Sequence, residues 1–148
     1  MIIHESLIEL NVTSKNKNEI IEHLTRKAVE LGRVSDVAGY MQAVLAREEL
    51  FSTAIGYGIA IPHGKSSYVQ EPFIAFAKSQ EAFSWDKRTD QEVRLIFLIG
   101  VPEEKANNLH LKILANISRG LMNDSYRERL VQATSAAEIV AIFGEMGL

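Results

Sequence analysis

The sequence feature that most constrains the fold is an apolar run in the second half of the chain, from Val93 to Val101. Its central part, Leu95 to Val101, carries no charged side chain. Such a run is typical of a strand that is buried on both faces of a sheet. It is far shorter than the ~18 residues that a membrane span requires. We therefore predict a central strand with other structure packed against both of its faces.

Shorter apolar patches predict the rest of the sheet. Phe73 to Ala77 has the composition of a strand, and the polar stretch from Gln80 to Glu92 is predicted to be a hairpin-like excursion. We expect one or two strands between Ile2 and Val12 and a short strand over Ile59–Ile61. The short strand should end at Pro62, because proline lacks the N–H group that a strand ladder needs.

Apolar residues at helical spacing predict helices between and after these strands. A short helix is expected after Asp124. The predicted N-caps of the longer helices are, in chain order, Asn16, Ser35, Asn107 or Asn108, and Ser135. Because strands and helices alternate, the sequence predicts a single α/β domain over residues 1–148. It should have a mixed sheet flanked by helices on both faces.

Composition excludes several classes of function. The formal net charge is −3 and no block of Lys and Arg occurs, which argues against nucleic acid as a partner. Cysteine is absent, so zinc–thiolate sites, iron–sulfur clusters and a cysteine nucleophile are excluded. The N-terminus lacks the basic and apolar regions of a signal peptide. We therefore expect a cytoplasmic protein that does not insert directly into a membrane.

The most unusual segment is residues 51–67, which nearly imitates a phosphate-binding loop. Gly64-Lys65-Ser66 resembles the end of a P-loop, but Ile59 stands where that motif needs glycine. Pro62 also removes an amide N–H from the cradle that would hold the phosphates. We therefore predict no nucleotide cofactor at this segment.

His63 is the strongest candidate for a reacting group. It follows a predicted strand in a tight loop, where Pro62 fixes the approach and Gly64 permits close passage of the backbone. Ligands of α/β sheets bind at strand ends, and a neutral imidazole is a good nucleophile toward phosphorus or acyl groups. Position alone leaves a second hypothesis open, in which His63 only forms a hydrogen bond within its turn.

For two further residues, His110 and Arg47, the sequence allows both a functional role and a purely structural one. His110 lies in the first turn of a predicted helix, and it is either a core histidine or a neutral hydrogen-bond donor to a bound anion. Arg47 ends the helix that leads into residues 51–67, and it is either an exposed cation or a planar ligand for phosphoryl oxygens.

Three blocks of sequence resemble a known family. They are Arg47–Thr53 (REELFST), Ile55–Gly64 (IGYGIAIPHG) and Leu109–Leu114 (LHLKIL). Together they resemble the IIA domains of the fructose–mannitol class of the bacterial phosphoenolpyruvate-dependent sugar phosphotransferase system. The resemblance covers essentially the whole chain and implies an α/β domain with a mixed sheet of about five strands flanked by helices.

The resemblance also implies a phosphotransferase that works through a phosphohistidine. His63 would take a phosphoryl group on Nε2 from the phosphohistidine of the carrier protein HPr and pass it to the IIB component of a sugar permease. His110 and Arg47 occupy supporting positions, and Thr53 is a weaker candidate for a phosphoryl contact. Because the N–P bond of the donor is already activated, the protein needs to supply mainly positioning and charge stabilisation. We therefore expect no metal and no cofactor.

Partner proteins would need an apolar rim near His63, for which the sequence offers Phe51, Gly56, Tyr57 and Ile59.

Two positions depart from the family pattern. Ala54 stands where glycine is common and would be strained at positive φ, and Tyr57 stands where a small or polar residue is common.

Two other functions stay open at this point. The first is a nitrogen-type regulatory IIA phosphoprotein that acts by protein contacts. The second is a metal-dependent hydrolase that uses His63 and His110.

Overall fold

The computed structural model describes residues 2–105 and 108–148, without the side chains of Lys105 and His110. Short 3₁₀ segments cover Glu5–Leu7 and Glu103–Lys105. The strands are β1 (Ile8–Val12), β2 (Ala54–Gly56), β3 (Ile59–Ala60), β4 (His63–Ser66), β5 (Phe73–Ser84) and β6 (Glu92–Pro102). The helices are α1 (Lys17–Glu30), α2 (Val37–Leu50), α3 (Leu109–Leu121), α4 (Asp124–Gln132) and α5 (Ala136–Glu145).

The described strands form one mixed sheet of six strands in the order β1-β5-β6-β3-β2, with β4 also paired to β6. β6 is central, as predicted: it pairs antiparallel with β5 on one side and parallel with β3 and β4 on the other. The expectation was about five strands. The additional strand arises because Pro62 divides the segment from Ile59 to Ser66 into β3 and β4.

Helices cover both faces of the sheet, which confirms the predicted α/β architecture. The burial follows the alternation of side chains along each strand. In β6, Phe97 and Ile99 pack with α3, α4 and α5, whereas Ile96 and Leu98 pack with α1 and α2. Phe76 of β5 extends the first of these two clusters through edge contacts with Phe97 and Phe143. The apolar run that begins at Val93 is therefore buried on both faces.

The helix caps agree with the sequence prediction in part. Asn16 and Ser135 accept hydrogen bonds from the backbone N–H groups of Glu19 and Glu138 at 3.0 and 3.2 Å, which confirms both caps. Asn108 is at the cap position of α3 but makes no side-chain cap hydrogen bond, and the alternative, Asn107, lies outside the described residues.

The predicted N-cap of α2, Ser35, was wrong by one residue. Asp36 is the N-cap, and its Oδ2 accepts from the backbone N–H of Gly39 at 2.7 Å. Ser35 is used elsewhere, because its backbone N–H and its hydroxyl both donate to the carbonyl of Tyr68. The hairpin prediction also needs correction, since β5 continues through Ser84 and the turn is confined to residues 85–91.

Candidate active site

His63 is the first residue of β4, at the point where the chain returns to the central strand after Pro62. The predicted position in a loop after a strand is therefore wrong. β3 lies beside Leu95 and Ile96 of β6, and β4 lies beside residues 99–102 on the same edge. Pro62 falls in the gap, where its carbonyl accepts from the N–H of Ile99 at 3.0 Å.

The register of β4 sets the direction of the His63 side chain. His63 is paired with Ile99, which belongs to the apolar cluster under α3, α4 and α5. Directly paired residues of adjacent strands share a face of the sheet, so His63 faces the α3 side. Gly64 faces α2, where an added Cβ would lie 3.1 Å from Val44 Cγ2. The predicted close passage at Gly64 is thus confirmed.

The imidazole of His63 is held by a backbone hydrogen bond. Nδ1 lies 2.9 Å from the carbonyl oxygen of Ile61. A carbonyl oxygen can only accept, so Nδ1 carries the hydrogen, and in the neutral ring the lone pair is on Nε2. The ring is half-buried, which keeps it oriented without removing it from the surface.

The strand opposite His63 is fixed from the α2 side by Tyr40. The Tyr40 hydroxyl is buried and donates to the carbonyl of Ile99 at 2.7 Å. Burial raises the pKa of Tyr40 well above its usual 10.0, because the phenolate would lose its hydration. Tyr40 therefore keeps its proton and remains a donor to the residue that is paired with His63.

Arg47 lies in the last turn of α2. One turn earlier in the helix is Ala43, whose Cβ lies 3.3 Å from the place that a Cβ at Gly64 would occupy. One turn places Arg47 about 6 Å further along the helix axis. Its Nη1 donates to the carbonyl of Phe51 at 2.8 Å, and the side chain is half-buried. The guanidinium thus lies at the end of α2, next to the loop of residues 51–53.

Thr53 is buried, with 4% of its surface exposed. Its hydroxyl donates to the carboxylate of Glu48, and its carbonyl accepts from the N–H of Ile61 at 3.0 Å. A phosphoryl contact by Thr53 stays a prediction. The described geometry gives Thr53 the role of joining the loop to α2 and to the strand before His63.

Sequence reasoning missed Glu48, although the sequence contained a signal for it. Tyr40, Val44 and Glu48 follow one another at four-residue spacing, so a carboxylate shares the buried face of α2. Charged side chains are rarely buried without partners. Glu48 has several, among them the indole N–H of Trp85 at 3.2 Å.

The start of α3 confirms the predicted backbone position of His110. The helix begins at Leu109, so His110 is in its first turn. Ile113 and Ile117 pack α3 onto the face of the sheet that His63 shares. The side chain of His110 lies outside the described residues, and its predicted role stays a prediction.

The predicted apolar rim is partly corrected. Ile59 is fully buried, so it cannot contact a partner. Leu50 and Phe51 are 69% and 75% exposed and adjoin the loop that leads to Thr53. Tyr57 is also exposed, but it lies in the turn before β3, beside the amino-terminal half of β6. The carbonyl of the next residue, Gly58, accepts from the N–H of Arg94, whereas His63 is paired with Ile99, so Tyr57 is about 16 Å from His63 along the strand direction.

Backbone strain lies at Tyr57 and not at Ala54. Among the described residues other than glycine, Tyr57 is the one with positive φ, at 57°. The Arg127 guanidinium lies 4.0 Å from the centre of the Tyr57 ring, a cation–π contact that offsets part of the strain.

Within the part of the chain that the structure describes, no group of three or more His, Asp or Glu side chains could hold a metal ion. The helices described there include none long and apolar enough to cross a membrane.

Comparison with known families gives one decisive match. The model of the family described as "Phosphoenolpyruvate-dependent sugar phosphotransferase system, EIIA 2" matches residues 1–146. The chain belongs to this family. EIIA domains of this system are phosphotransfer proteins, and the sequence-based assignment to the fructose–mannitol class is confirmed.

Two curated relatives belong to the same EIIA family. The fructose-specific EIIA component of Haloferax volcanii is 38% identical over 140 residues, which cover 95% of this chain and 90% of the relative. The fructose-specific EIIABC component of Bacillus subtilis is 35% identical over 144 residues, and this chain spans 22% of its length.

Two solved structures share the EIIA fold. The nitrogen regulatory protein IIA-Ntr of Neisseria meningitidis superimposes with a TM-score of 0.86 at 33% identity, over 95% of each chain. The mannitol IIA of Escherichia coli, solved in complex with phosphorylated IIB, superimposes with a TM-score of 0.79 at 26% identity over 95% of each chain.

Proposed function

We propose that this EIIA accepts a phosphoryl group from phospho-HPr on Nε2 of His63 and passes it to the IIB component of a sugar permease. The observation that carries the proposal is the hydrogen bond from His63 Nδ1 to the carbonyl of Ile61, at 2.9 Å. Phosphorylation at Nε2 requires a lone pair on that atom, and the Nδ1–H tautomer provides it.

The proposed transfer balances without an external base. The Nε2 lone pair of His63 attacks phosphorus as the N–P bond of phospho-HPr breaks and returns an electron pair to the HPr imidazole. Nδ1 of His63 keeps its hydrogen throughout, so the phosphorylated ring carries a positive charge that the Ile61 carbonyl stabilises. Attack by the IIB acceptor then breaks the new N–P bond and restores the neutral ring.

Charge on the moving phosphoryl group needs positive partners. Arg47 is a permanent cation at the end of α2, and we propose that its guanidinium approaches the phosphoryl oxygens. The start of α3 adds the positive end of a helix dipole on the face shared by His63. His110, in that first turn, is the proposed neutral donor to the phosphoryl group.

The proposed partners dock near His63. The exposed side chains of Leu50 and Phe51 lie beside the loop that precedes β2, and apolar groups of this size form the centre of small interfaces. The E. coli mannitol IIA, with 26% identity, was solved as a complex with its phosphorylated IIB. Both HPr and IIB must leave in each cycle, so we expect a modest contact area. Such a relay would operate in the cytoplasm.

A second candidate function is supported by a specific observation. The TM-score to the N. meningitidis IIA-Ntr, 0.86, exceeds the 0.79 to the mannitol IIA. In that alternative the same phosphorylated His63 would act as a regulatory signal through protein contacts, and no sugar would receive the phosphate.

Delivery of phosphate to sugar separates the two candidates. The protein is incubated with phosphoenolpyruvate, enzyme I, HPr and membranes that contain a fructose-type IIB–IIC pair, and fructose phosphate is measured. The transport role predicts sugar phosphate that depends on adding this protein. A protein that is phosphorylated by HPr but yields none, with fructose or with polyol permeases, contradicts transport and supports the regulatory role.

A further inference from the structure

The carboxylate of Glu48 is buried where three parts of the fold meet. Only 2% of the Glu48 surface is exposed. Oε1 accepts from the hydroxyl of Thr53, and Oε2 accepts from the indole N–H of Trp85 at 3.2 Å. The Lys17 ammonium lies 3.7 Å from Oε2. A carboxylate, which offers acceptors only, fits these donors better than any neutral side chain of its size.

A continuous series of hydrogen bonds leads from this carboxylate to the His63 ring. The Thr53 hydroxyl donates to Glu48. The Thr53 carbonyl accepts from the Ile61 N–H at 3.0 Å, and the Ile61 carbonyl accepts from His63 Nδ1 at 2.9 Å. Thr53 and Ile61 are both at least 96% buried. Because Thr53 and Ile61 are almost inaccessible to water, the low local dielectric strengthens the hydrogen bond between them.

The far side of Glu48 is fixed by the turn between β5 and β6. Trp85 is 2% exposed. Arg88 in the same turn donates to the carbonyls of Glu48 and Glu49, at 2.5 and 2.6 Å. The turn therefore binds both the side chain and the backbone at the end of α2, so that Glu48 cannot move without breaking several contacts.

We propose that Glu48 is a positioning residue for phosphoryl transfer, which acts through Thr53 and Ile61 to hold His63 in the Nδ1–H tautomer. This inference rests on the proposed function of His63. Glu48 does not touch the ring, and its effect is on the orientation of the Ile61 carbonyl. If that carbonyl turned away, the ring would lose the bond that places its lone pair on Nε2.

The test removes the Thr53 hydroxyl with little change of shape. Thr53→Val removes the hydroxyl that donates to Glu48 Oε1, and Thr53→Ser restores a hydroxyl donor there. The matched control is Thr25→Val, because Thr25 is also fully buried and its hydroxyl donates to the Ile21 carbonyl in α1. The readouts are the NMR chemical shifts of the two His63 ring nitrogens at alkaline pH and the rate of phosphorylation by phospho-HPr.

We expect Thr53→Val to shift both ring nitrogens toward the values of a tautomer mixture and to slow phosphorylation about tenfold, the effect of losing one charge-assisted hydrogen bond. Thr53→Ser should return both readouts to within about twofold of the parent. Unchanged ring nitrogens in a folded Thr53→Val overturn the proposal, and so does an equal shift in Thr25→Val.

Glu48→Gln is the second variant, in case Thr53→Val does not fold. Its amide oxygen can accept from Thr53, but its NH₂ group cannot accept from Trp85. We expect a smaller shift of the ring nitrogens in the same direction, and no shift overturns the proposal. If the parent protein is not phosphorylated by phospho-HPr, the proposed function fails, while the ring nitrogens still report whether Glu48 and Thr53 set the tautomer.

Discussion

Single side chains around His63 set how closely the sheet and α2 approach. Gly64 is not one of the glycines with positive φ. A glycine is needed there because a larger residue would not fit against α2. An added methyl group there would lie 3.1 Å from Val44 Cγ2 and 3.2 Å from Val44 N. The second of these contacts is with helix backbone, which cannot give way as a side chain would.

Gly64→Ala should therefore destabilise the protein by about 1–3 kcal/mol, the range found for overpacked cores. Chemical denaturation measures the change. Gly144→Ala is the control, because a Cβ there meets nothing within 4 Å, and in helix α5 it should stabilise by about 0.5–1 kcal/mol. A Gly64→Ala protein as stable as the parent contradicts the close approach of α2.

For single residues, the sequence predicted His63 as the candidate reacting group but not all of the contacts around it. Pro62 and Gly64 were correctly assigned to a break and a close passage, because both act through local backbone chemistry. Strain at Ala54 depended on a positive φ there, and among the described residues other than glycine it is Tyr57 that has positive φ. The Tyr57 ring contacts the guanidinium of Arg127, which is distant in sequence, so no local pattern indicates this contact.

The turn between β5 and β6 connects two strands and also binds the end of α2 through Arg88. Asp86 accepts from Arg88 Nε at 2.9 Å and from its Nη2 at 2.7 Å, and the Asp86 side chain is 6% exposed. These bonds, followed by one from the Arg88 backbone N–H, hold the pKa of Asp86 well below its usual 3.8. Arg88 is thereby oriented toward the carbonyls at the end of α2.

The lowered pKa of Asp86 predicts a pH-dependent contribution to stability. A carboxylate with a depressed folded-state pKa stabilises the fold above its unfolded pKa, and that stability is lost as pH falls through the folded value. Asp86→Asn should cost about 1–2 kcal/mol at pH 7, and the difference from the parent should shrink below about pH 4.

Urea denaturation at several pH values measures this difference. Asp90→Asn, an exposed position in the same turn, should leave stability within about 0.5 kcal/mol of the parent. A cost for Asp86→Asn that is the same at pH 3 and pH 7 contradicts the Asp86–Arg88 interaction.

Element types were predictable from the sequence where a period is strong, and their ends were less so. The central strand β6 and the helices followed from burial on two faces and from helical spacing. Ser35 was preferred to Asp36 as a cap because nothing local shows that Ser35 pairs with Tyr68 across the fold. The continuation of β5 to Ser84 is likewise set by pairing with β6, as Ser84 lies opposite Glu92.

For the molecule as a whole, the candidate site residues come from segments that are distant in sequence. His63 is fixed by the register of β4 on β6, Arg47 comes from α2, and α3 begins on the same face of the sheet. Sequence patterns predicted these candidates one by one, and the resemblance to the EIIA family grouped them. The support from Glu48 and Trp85 required the fold, since these residues meet only through the packing of α2 on the β5–β6 turn.

The most direct measurement is the position of the phosphoryl group after incubation with labelled phosphoenolpyruvate, enzyme I and HPr. Mass spectrometry of the digested protein should place a single phosphoryl group on His63, and a folded His63→Ala variant should take up no label. Phosphate on another residue, or a His63→Ala variant that is labelled as fast as the parent, would contradict the account.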